Sequence, residues 1–160
     1  MLRGSLFFLS LLFVSAVFAQ SAIVDVSLTP AGSFKAKTSE VKGAAIRKGK
    51  MVEAQNVVVG LKKLDTGIGV RDQHTRKHLD VDHFPEAILV SAKGENGKGE
   101  GVIKIKGIEQ KISGTYKIEG SNLVAEFPLK LSDFKISGIK YMGVGVEDEV
   151  HLTVSLPLKN

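Results

Sequence analysis

The sequence predicts an all-β domain whose strands form one antiparallel barrel or sandwich, with a single helix inserted between two strands. Two observations predict the sheet. Apolar and polar residues alternate with a period of two over most of the chain after Gln20, as they do in strands with one buried and one solvated face. Turn sequences rich in glycine separate these alternating runs. A third observation, one segment near the middle of the chain that breaks the period, predicts the helix.

The alternation is clearest in the second half of the chain. Leu123, Ala125, Phe127 and Leu129 share one side of a predicted strand. The same parity places apolar positions of three further strands on one side, and these include Ile103, Ile105, Ile112, Tyr116, Leu152 and Val154. If the sheet closes, these side chains face its interior.

Less regular runs complete the predicted sheet. They occupy residues 23–28, 33–38, 44–47, 51–60 and 87–91, and Phe34 and Ala36 lie on the apolar side of the second run. Together the runs predict about eight or nine strands. Short connections favour antiparallel neighbours, and the glycine-rich stretch "GENGKGEG" is typical of a hairpin loop. So many one-sided strands in one domain are best buried in a barrel or a sandwich.

The segment from Gly69 to about Asp80 predicts a helix. It contains good helix formers, no glycine after Gly69 and no proline before Pro85. Val70, His74 and His78 follow one another at intervals of four residues, which places them on one helical face. We expect about three turns, beginning near residues 66–69 and ending before "VDHFP".

The first residues are typical of a secretory signal peptide. One positive charge, Arg3, precedes an apolar run from Leu6 to Val14 and a group of small residues that leads to Ala19. The run is shorter than the roughly 20 apolar residues that span a bilayer. We expect cleavage near Ala19, which leaves a domain of residues 20–160 in the periplasm or outside the cell.

Composition excludes several classes of function. The chain has no cysteine, so disulfides, thiol catalysis and cysteine-bound metals are excluded. Its formal net charge is +5, and the lysines are scattered without interleaved aromatic residues. This pattern argues against nucleic-acid binding, although transient contact with a membrane surface is compatible with the mild positive charge. Nothing in the sequence indicates an oligomeric state.

The histidines of the predicted helix leave two interpretations open. His74 and His78 have a spacing that can place two imidazoles on one zinc ion, and Asp80 lies close in sequence, which would make a metal-assisted hydrolytic centre. However, the glutamate of a zinc-protease helix is missing, and the arginines of the segment would repel a divalent cation. We therefore predict no metal, no cofactor and no catalytic residue, and expect His74 to be buried against the barrel with its nitrogens hydrogen-bonded.

The barrel interior also allows two interpretations. The predicted inward residues are mostly valine, isoleucine, leucine and alanine. Such side chains can leave an apolar tunnel for a lipid, or they can interlock into the solid core of a stress or interaction protein.

The residues that break the period carry a resemblance to a known family. The stretch "LDTGIGVRDQHTRKHLDVDHFPEA" is similar to the most specific segment of the YceI-like family. An Asp-Thr pair, Asp65 and Thr66, leads into an Arg-Asp-x-His helix, and an aromatic-Pro pair follows it. Supporting matches are "SFKAKT", "GVIKIKGIEQK", "LKLSDFKI" and "VEDEVHLTVSL". Together they span nearly the whole chain after residue 20.

The resemblance implies an all-β fold, an antiparallel eight-stranded lipocalin-like barrel with one helix inserted between strands and covering an end. It also implies a non-enzymatic protein that holds a polyisoprenoid or similar amphiphilic lipid in the barrel. The signature residues Arg71, Asp72, His74 and Arg76 would then be structural. The lipid contacts, assigned by strand parity, would be Phe34, Ala36, Ile103, Ile105, Ile112, Tyr116, Leu123, Ala125, Phe127, Leu129, Leu152 and Val154.

Overall fold

The computed structural model describes residues 20–160, so the predicted signal peptide lies outside the described residues. Along the described chain the elements are β1 (Ser21–Thr29), β2 (Ser33–Thr38), β3 (Val41–Lys42), β4 (Ala45–Lys48), β5 (Met51–Gly60), α1 (Gly69–Leu79), β6 (Glu86–Glu95), β7 (Lys98–Ile105), β8 (Ile108–Glu119), β9 (Asn122–Lys130), a 3-10 helix (Leu131–Phe134), β10 (Lys140–Tyr141) and β11 (Val144–Lys159). No helix in this part of the chain is long and apolar enough to cross a membrane.

Seven strands form a closed ring of hydrogen-bonded neighbours. The ring runs β4–β5–β6–β7–β8–β9–β11 and closes where the end of β11 meets β4. The β4–β11 pair is parallel, with Leu158 beside Ala45, whereas the other pairs of the ring are antiparallel. The prediction of a β-barrel with one inserted helix is confirmed, but the prediction of eight strands in an all-antiparallel ring is wrong.

The long last strand explains this difference. β11 has 16 residues and changes its neighbour along one edge: β1 pairs with it from Gly145 to Ser155, and β4 pairs with its last two residues. The direction of β4 is set by its tight hairpin with β5, joined through Gly49, so β4 meets β11 in parallel. Residue alternation specifies which side chains face inward but not which strands become neighbours.

The remaining strands lie outside the closed ring. β1 and β2 form an antiparallel hairpin on β11, β3 pairs with the end of β5, and β10 pairs with the start of β11. β1 and β4 pair with different parts of β11, so β1 takes the place of β4 along most of the strand. The hairpin therefore extends the wall at one end of the barrel, and its inner face borders the interior described below.

Two-residue turns set the register of the central hairpins. Asn96 and Gly97 join β6 to β7 with φ angles of 54° and 79°. Lys106 and Gly107 join β7 to β8 with φ angles of 50° and 73°. Two successive positive φ angles are the conformation that matches the twist of the flanking strands, and Asn-Gly is the favoured sequence for it. The predicted hairpin in "GENGKGEG" is confirmed.

One glycine controls how closely two ring strands approach. A Cβ atom on Gly114 would lie 2.2 Å from the carbonyl oxygen of Glu126 and 2.7 Å from Cβ of Phe127. Regular pairing of β8 with β9 begins at the next residue, Thr115, opposite Glu126. A side chain at position 114 would push the two strands apart where they start to pair.

The helix α1 is confirmed within one residue of its predicted end. It begins at Gly69 and ends at Leu79, and Asp80 follows it in a left-handed conformation with φ of 51°. The Asp80 N–H donates to the carbonyl oxygens of Arg76 and Lys77, which ends the helix. No residue of α1 is fully buried. Leu79 packs partly buried against the core, and polar contacts described below also attach the helix.

Candidate binding cavity

The barrel encloses a cavity of about 610 Å³. Its walls come from β1, β2, β5, β6, β7, β9 and β11, and α1 lies over one end. Val57, Ile103 and Val150, which are nearly inaccessible to solvent, are among the lining residues. Small-molecule sites in proteins usually occupy about 300–1,000 Å³, so the cavity has the size of a ligand site.

The lining is aliphatic because inward positions of neighbouring strands meet in register. Val24 of β1 lies opposite Leu152 of β11 on one side and opposite Ala36 of β2 on the other. Ala36 is only 2% exposed and Ala22 only 4%. These short side chains leave space beside the larger ones, and that space is the cavity.

A second cavity of about 80 Å³ lies on the other side of the Phe127 ring. Phe127, Leu89 and Val154 line both cavities. The small cavity reaches Tyr116 on β8, and none of its lining residues belongs to α1 or β10. Phe127, the largest of the three, therefore lies between the two cavities together with Leu89 and Val154.

All twelve lumen residues predicted from parity border one of these cavities. Those on the large cavity are Phe34, Ala36, Ile103, Ile105, Phe127, Leu129, Leu152 and Val154. Those found only on the small cavity are Ile112, Tyr116, Leu123 and Ala125. Whether these side chains touch a lipid stays a prediction.

Sequence reasoning missed a large part of the lining. The missed positions include Ala22, Val24, Val26, Leu28, Val57, Val59, Leu131, Phe134, Ile136, Ile139 and Val146. The alternation of Ala22, Val24, Val26 and Leu28 was a usable signal for β1. The segment from the 3-10 helix to β10 has no strand period, so no local pattern could have assigned it to the cavity.

Apart from Thr38 of β2, the polar residues of the lining belong to α1 and β10. We call the end of the cavity covered by α1 the mouth. Arg71, His74 and His78 of α1 lie on one side, and Lys140 and Tyr141 of β10 lie on the other. The imidazole of His74 packs against the ring of Tyr141, with 5.2 Å between the ring centroids and 60° between the planes. This contact joins the helix to the β10–β11 hairpin across the mouth.

The prediction that His74 is buried against the barrel with its nitrogens hydrogen-bonded is wrong. Its side chain is exposed, and no side-chain hydrogen bond involves it within residues 20–160. The reason is that α1 covers the open end of the barrel rather than packing into the wall, so its inner face meets the cavity mouth instead of a closed core.

The signature residues hold α1 in this position. Asp72 Oδ1 accepts hydrogen bonds from the backbone N–H of Thr66 at 2.7 Å and from its hydroxyl at 2.5 Å. Arg71 Nη2 donates to the carbonyl oxygen of Thr66 at 2.7 Å, and its guanidinium lies 4.3 Å from the centroid of the Phe34 ring. Arg76 Nη2 donates to the Leu64 carbonyl oxygen at 3.4 Å. These contacts connect the helix to the preceding loop and to β2. That the role of the signature residues is structural stays a prediction.

The surroundings of three side chains in and next to α1 also shift their pKa values. Hydrogen bonds from the hydroxyl and then the backbone N–H of Thr66 lower the pKa of Asp72. Burial lowers the pKa of His78, with a further contribution from the positive charges around it. Asp80 hydrogen-bonds His83, with 2.7 Å between Oδ1 and Nδ1, and raises the pKa of that imidazole.

The geometry gives the hydrolytic alternative no metal site. Asp80, its third candidate ligand, pairs with His83 rather than with His74 or His78. Across residues 20–160, no three histidine, aspartate or glutamate side chains converge in a way that could hold a metal ion.

A family model described as the YceI-like domain matches residues 14–158. The chain belongs to the YceI-like family. The resemblance carried by the Arg-Asp-x-His segment is therefore confirmed, and this YceI-like protein has the fold that the resemblance implied in outline.

Solved structures agree with this assignment at the level of the fold. BcnA from Burkholderia cenocepacia matches with a TM-score of 0.62 and 15% identity, covering 84% of this chain and 94% of BcnA. A polyisoprenoid binding domain from Saccharophagus degradans implicated in plant cell wall breakdown matches with a TM-score of 0.60 and 12% identity, covering 86% of this chain and 91% of that domain. No curated protein matches the chain.

Proposed function

We propose that this YceI-like protein is a non-enzymatic binding protein that holds a polyisoprenoid or similar amphiphilic lipid inside its barrel. The observation that carries the proposal is the cavity of about 610 Å³, which is lined by aliphatic side chains and has polar groups at its mouth. An amphiphile matches this distribution, with its chain in the barrel and its head at the mouth. The solved polyisoprenoid binding domain that shares the fold supports the proposal.

Energetics favour a long chain over a short one. Each buried methylene contributes about 0.8 kcal/mol. Association costs roughly 4–15 kcal/mol in lost translational and rotational freedom. A ligand must therefore bury about five to twenty methylene groups before binding becomes favourable. Small apolar metabolites fall below this range, whereas isoprenoid and acyl chains reach it.

The cavity favours the lipid carrier over the solid-core alternative. Interiors without a ligand function are packed with few voids larger than one water molecule. Here the small side chains Ala22 and Ala36 face the space rather than a partner that fills it. We also propose that the protein acts in the periplasm or outside the cell, after cleavage of the leader near Ala19.

Extraction of the purified protein tests the proposal. Natively purified protein is extracted with organic solvent, and the extract is analysed by mass spectrometry. We expect a long-chain lipid in stoichiometric amount from the wild type and little from Ala36→Phe, whose added ring projects into the cavity and obstructs it. Ser27→Phe adds the same ring to an exposed position of β1 and is the matched control. A wild-type extract without lipid, from protein that also fails to bind an added fluorescent fatty acid, would overturn the proposal.

A further inference from the structure

Exposed apolar side chains are concentrated at the mouth of the cavity. Five large apolar residues both border the cavity and remain exposed: Ile68, Val70, Tyr141, Met142 and Val144. We call these five residues the mouth rim. Met142 is 85% exposed, and Ile68, Val70 and Tyr141 are each more than half exposed.

The rest of the described chain has few side chains of this kind. Within residues 20–160, the other large apolar side chains with comparable exposure are Ile46, Met51 and Ile118. None of the three borders the large cavity. Single exposed apolar residues are ordinary in proteins, but a group around one opening marks an interaction site.

Two separate elements supply the mouth rim. Ile68 and Val70 lie at the start of α1, and the other three residues belong to the β10–β11 hairpin. Met142 and Gly143 form its turn with φ angles of 49° and 80°, which puts Met142 at the tip. Since His74 and Tyr141 join the two elements, the mouth rim is one surface rather than two.

The charged side chains that line the cavity are cationic. They are Arg71 and Lys140, and no aspartate or glutamate belongs to its lining among the described residues. Lys140 is exposed and directly precedes Tyr141. Exposed apolar side chains next to lysine and arginine are the combination that binds the interface of an anionic bilayer.

We propose that the mouth rim docks on the surface of an anionic lipid bilayer and that lipid enters and leaves the cavity there. The inference rests on the proposed function, since it is the lipid chain that needs a path out of water. The apolar surface of the mouth rim is continuous with the apolar wall of the cavity. A chain that leaves the bilayer through the docked mouth stays in apolar surroundings along the whole path.

Flotation with vesicles tests the docking surface. The purified protein is mixed with vesicles of equal parts phosphatidylcholine and phosphatidylglycerol and separated on a density gradient. We expect the wild type to float with the vesicles and Met142→Asp to bind them at least tenfold more weakly, because a charge replaces an apolar side chain at the bilayer interface. Val70→Asp tests the same surface from the helix side. Ile118→Asp, an equally drastic change at an exposed apolar residue outside the lining of both cavities, should float like the wild type.

A variant that lacks one positive charge tests the electrostatic contribution to vesicle binding. Lys140→Gln should weaken binding to the mixed vesicles about fivefold, the usual contribution of one basic residue near an anionic surface. It should leave binding to vesicles of phosphatidylcholine alone unchanged. Equal binding of the wild type, Met142→Asp and Val70→Asp to the mixed vesicles would overturn the proposal.

The experiments can overturn the docking proposal and the lipid-carrier proposal independently of each other. Protein that floats but yields no lipid on solvent extraction and binds no added fluorescent fatty acid overturns the carrier and supports the docking surface. Protein that yields lipid but never floats overturns the docking surface and leaves the carrier standing. A dimer of the wild type that Met142→Asp dissociates, without any flotation, would assign the mouth rim to a second copy of the chain and overturn the docking proposal.

Discussion

Thr66 donates two hydrogen bonds to one carboxylate oxygen of Asp72, from its backbone N–H at 2.7 Å and from its hydroxyl at 2.5 Å. Thr66 is only 7% exposed, so these hydrogen bonds are sheltered from water. They join the loop before α1 to the first turn of the helix, and a negative charge there also interacts favourably with the helix dipole. This contact is one of those that hold α1 over the mouth, together with the contacts of Arg71 and Arg76.

Asp72→Asn should lower stability in a pH-dependent way. The pKa of Asp72 is held below its ordinary value of 3.8, first by the Thr66 hydroxyl and then by the Thr66 N–H. The charged carboxylate therefore stabilises the fold above pH 3.8, and this contribution is lost as the pH falls through the lower, folded-state pKa. We expect the urea midpoint of Asp72→Asn to lie below that of the wild type at neutral pH and the two to converge in acid. Asp82→Asn, at an exposed carboxylate, controls for the loss of one charge. A difference that grows on acidification would contradict the prediction.

Phe127→Ala should lengthen the lipid that the protein carries. The Phe127 ring borders both the large and the small cavity, so its removal connects them. The same change should reduce the free energy of unfolding by about 3–5 kcal/mol, as deletion of a buried ring usually does. Mass spectrometry of the extract should show a shift to longer chains.

Phe134→Ala is the matched control for this change. Phe134 is 1% exposed and borders only the large cavity, so its loss should cost a similar amount of stability without connecting the two spaces. If Phe127→Ala does not fold, Phe127→Leu removes less volume and tests the same connection. The same chain lengths from both alanine variants would refute the assignment of Phe127 as the partition.

His78 and His83 should titrate on opposite sides of 6.5, the ordinary pKa of histidine. Burial lowers the pKa of His78, so its neutral form stabilises the fold above pH 6.5 and this contribution is lost as the pH falls toward its folded-state pKa. The hydrogen bond and charge of Asp80 raise the pKa of His83, so its contribution is present below pH 6.5 and lost as the pH rises through its folded-state pKa. Proton NMR titration, assigned with His78→Gln and His83→Gln, measures both values. Asp80→Asn should lower only the pKa of His83, and a His78 that titrates above His83 would be incompatible with these contacts.

Much of the candidate site could be predicted because strand parity is a local property. Each side chain of β9 and β11 points to the face opposite that of its neighbour, whatever the strand pairs with. Phe127 and Val154 could thus be placed inside the barrel from their own segments alone. The period could not show that they separate two cavities, because this depends on side-chain volumes contributed by other strands.

The sequence by itself determined the positions of the longer strands, the helix α1, the hairpin turns and the faces that carry apolar side chains, because backbone geometry and residue pattern are coupled over a few neighbouring residues. Only the tertiary structure decided that Ala45 and Leu158, from opposite ends of the domain, meet in parallel to close a ring of seven strands. It also decided that His74 lies exposed against Tyr141 at an open mouth rather than in a core. Contacts between distant segments depend on how the whole sheet twists and closes, and no local pattern contains that information.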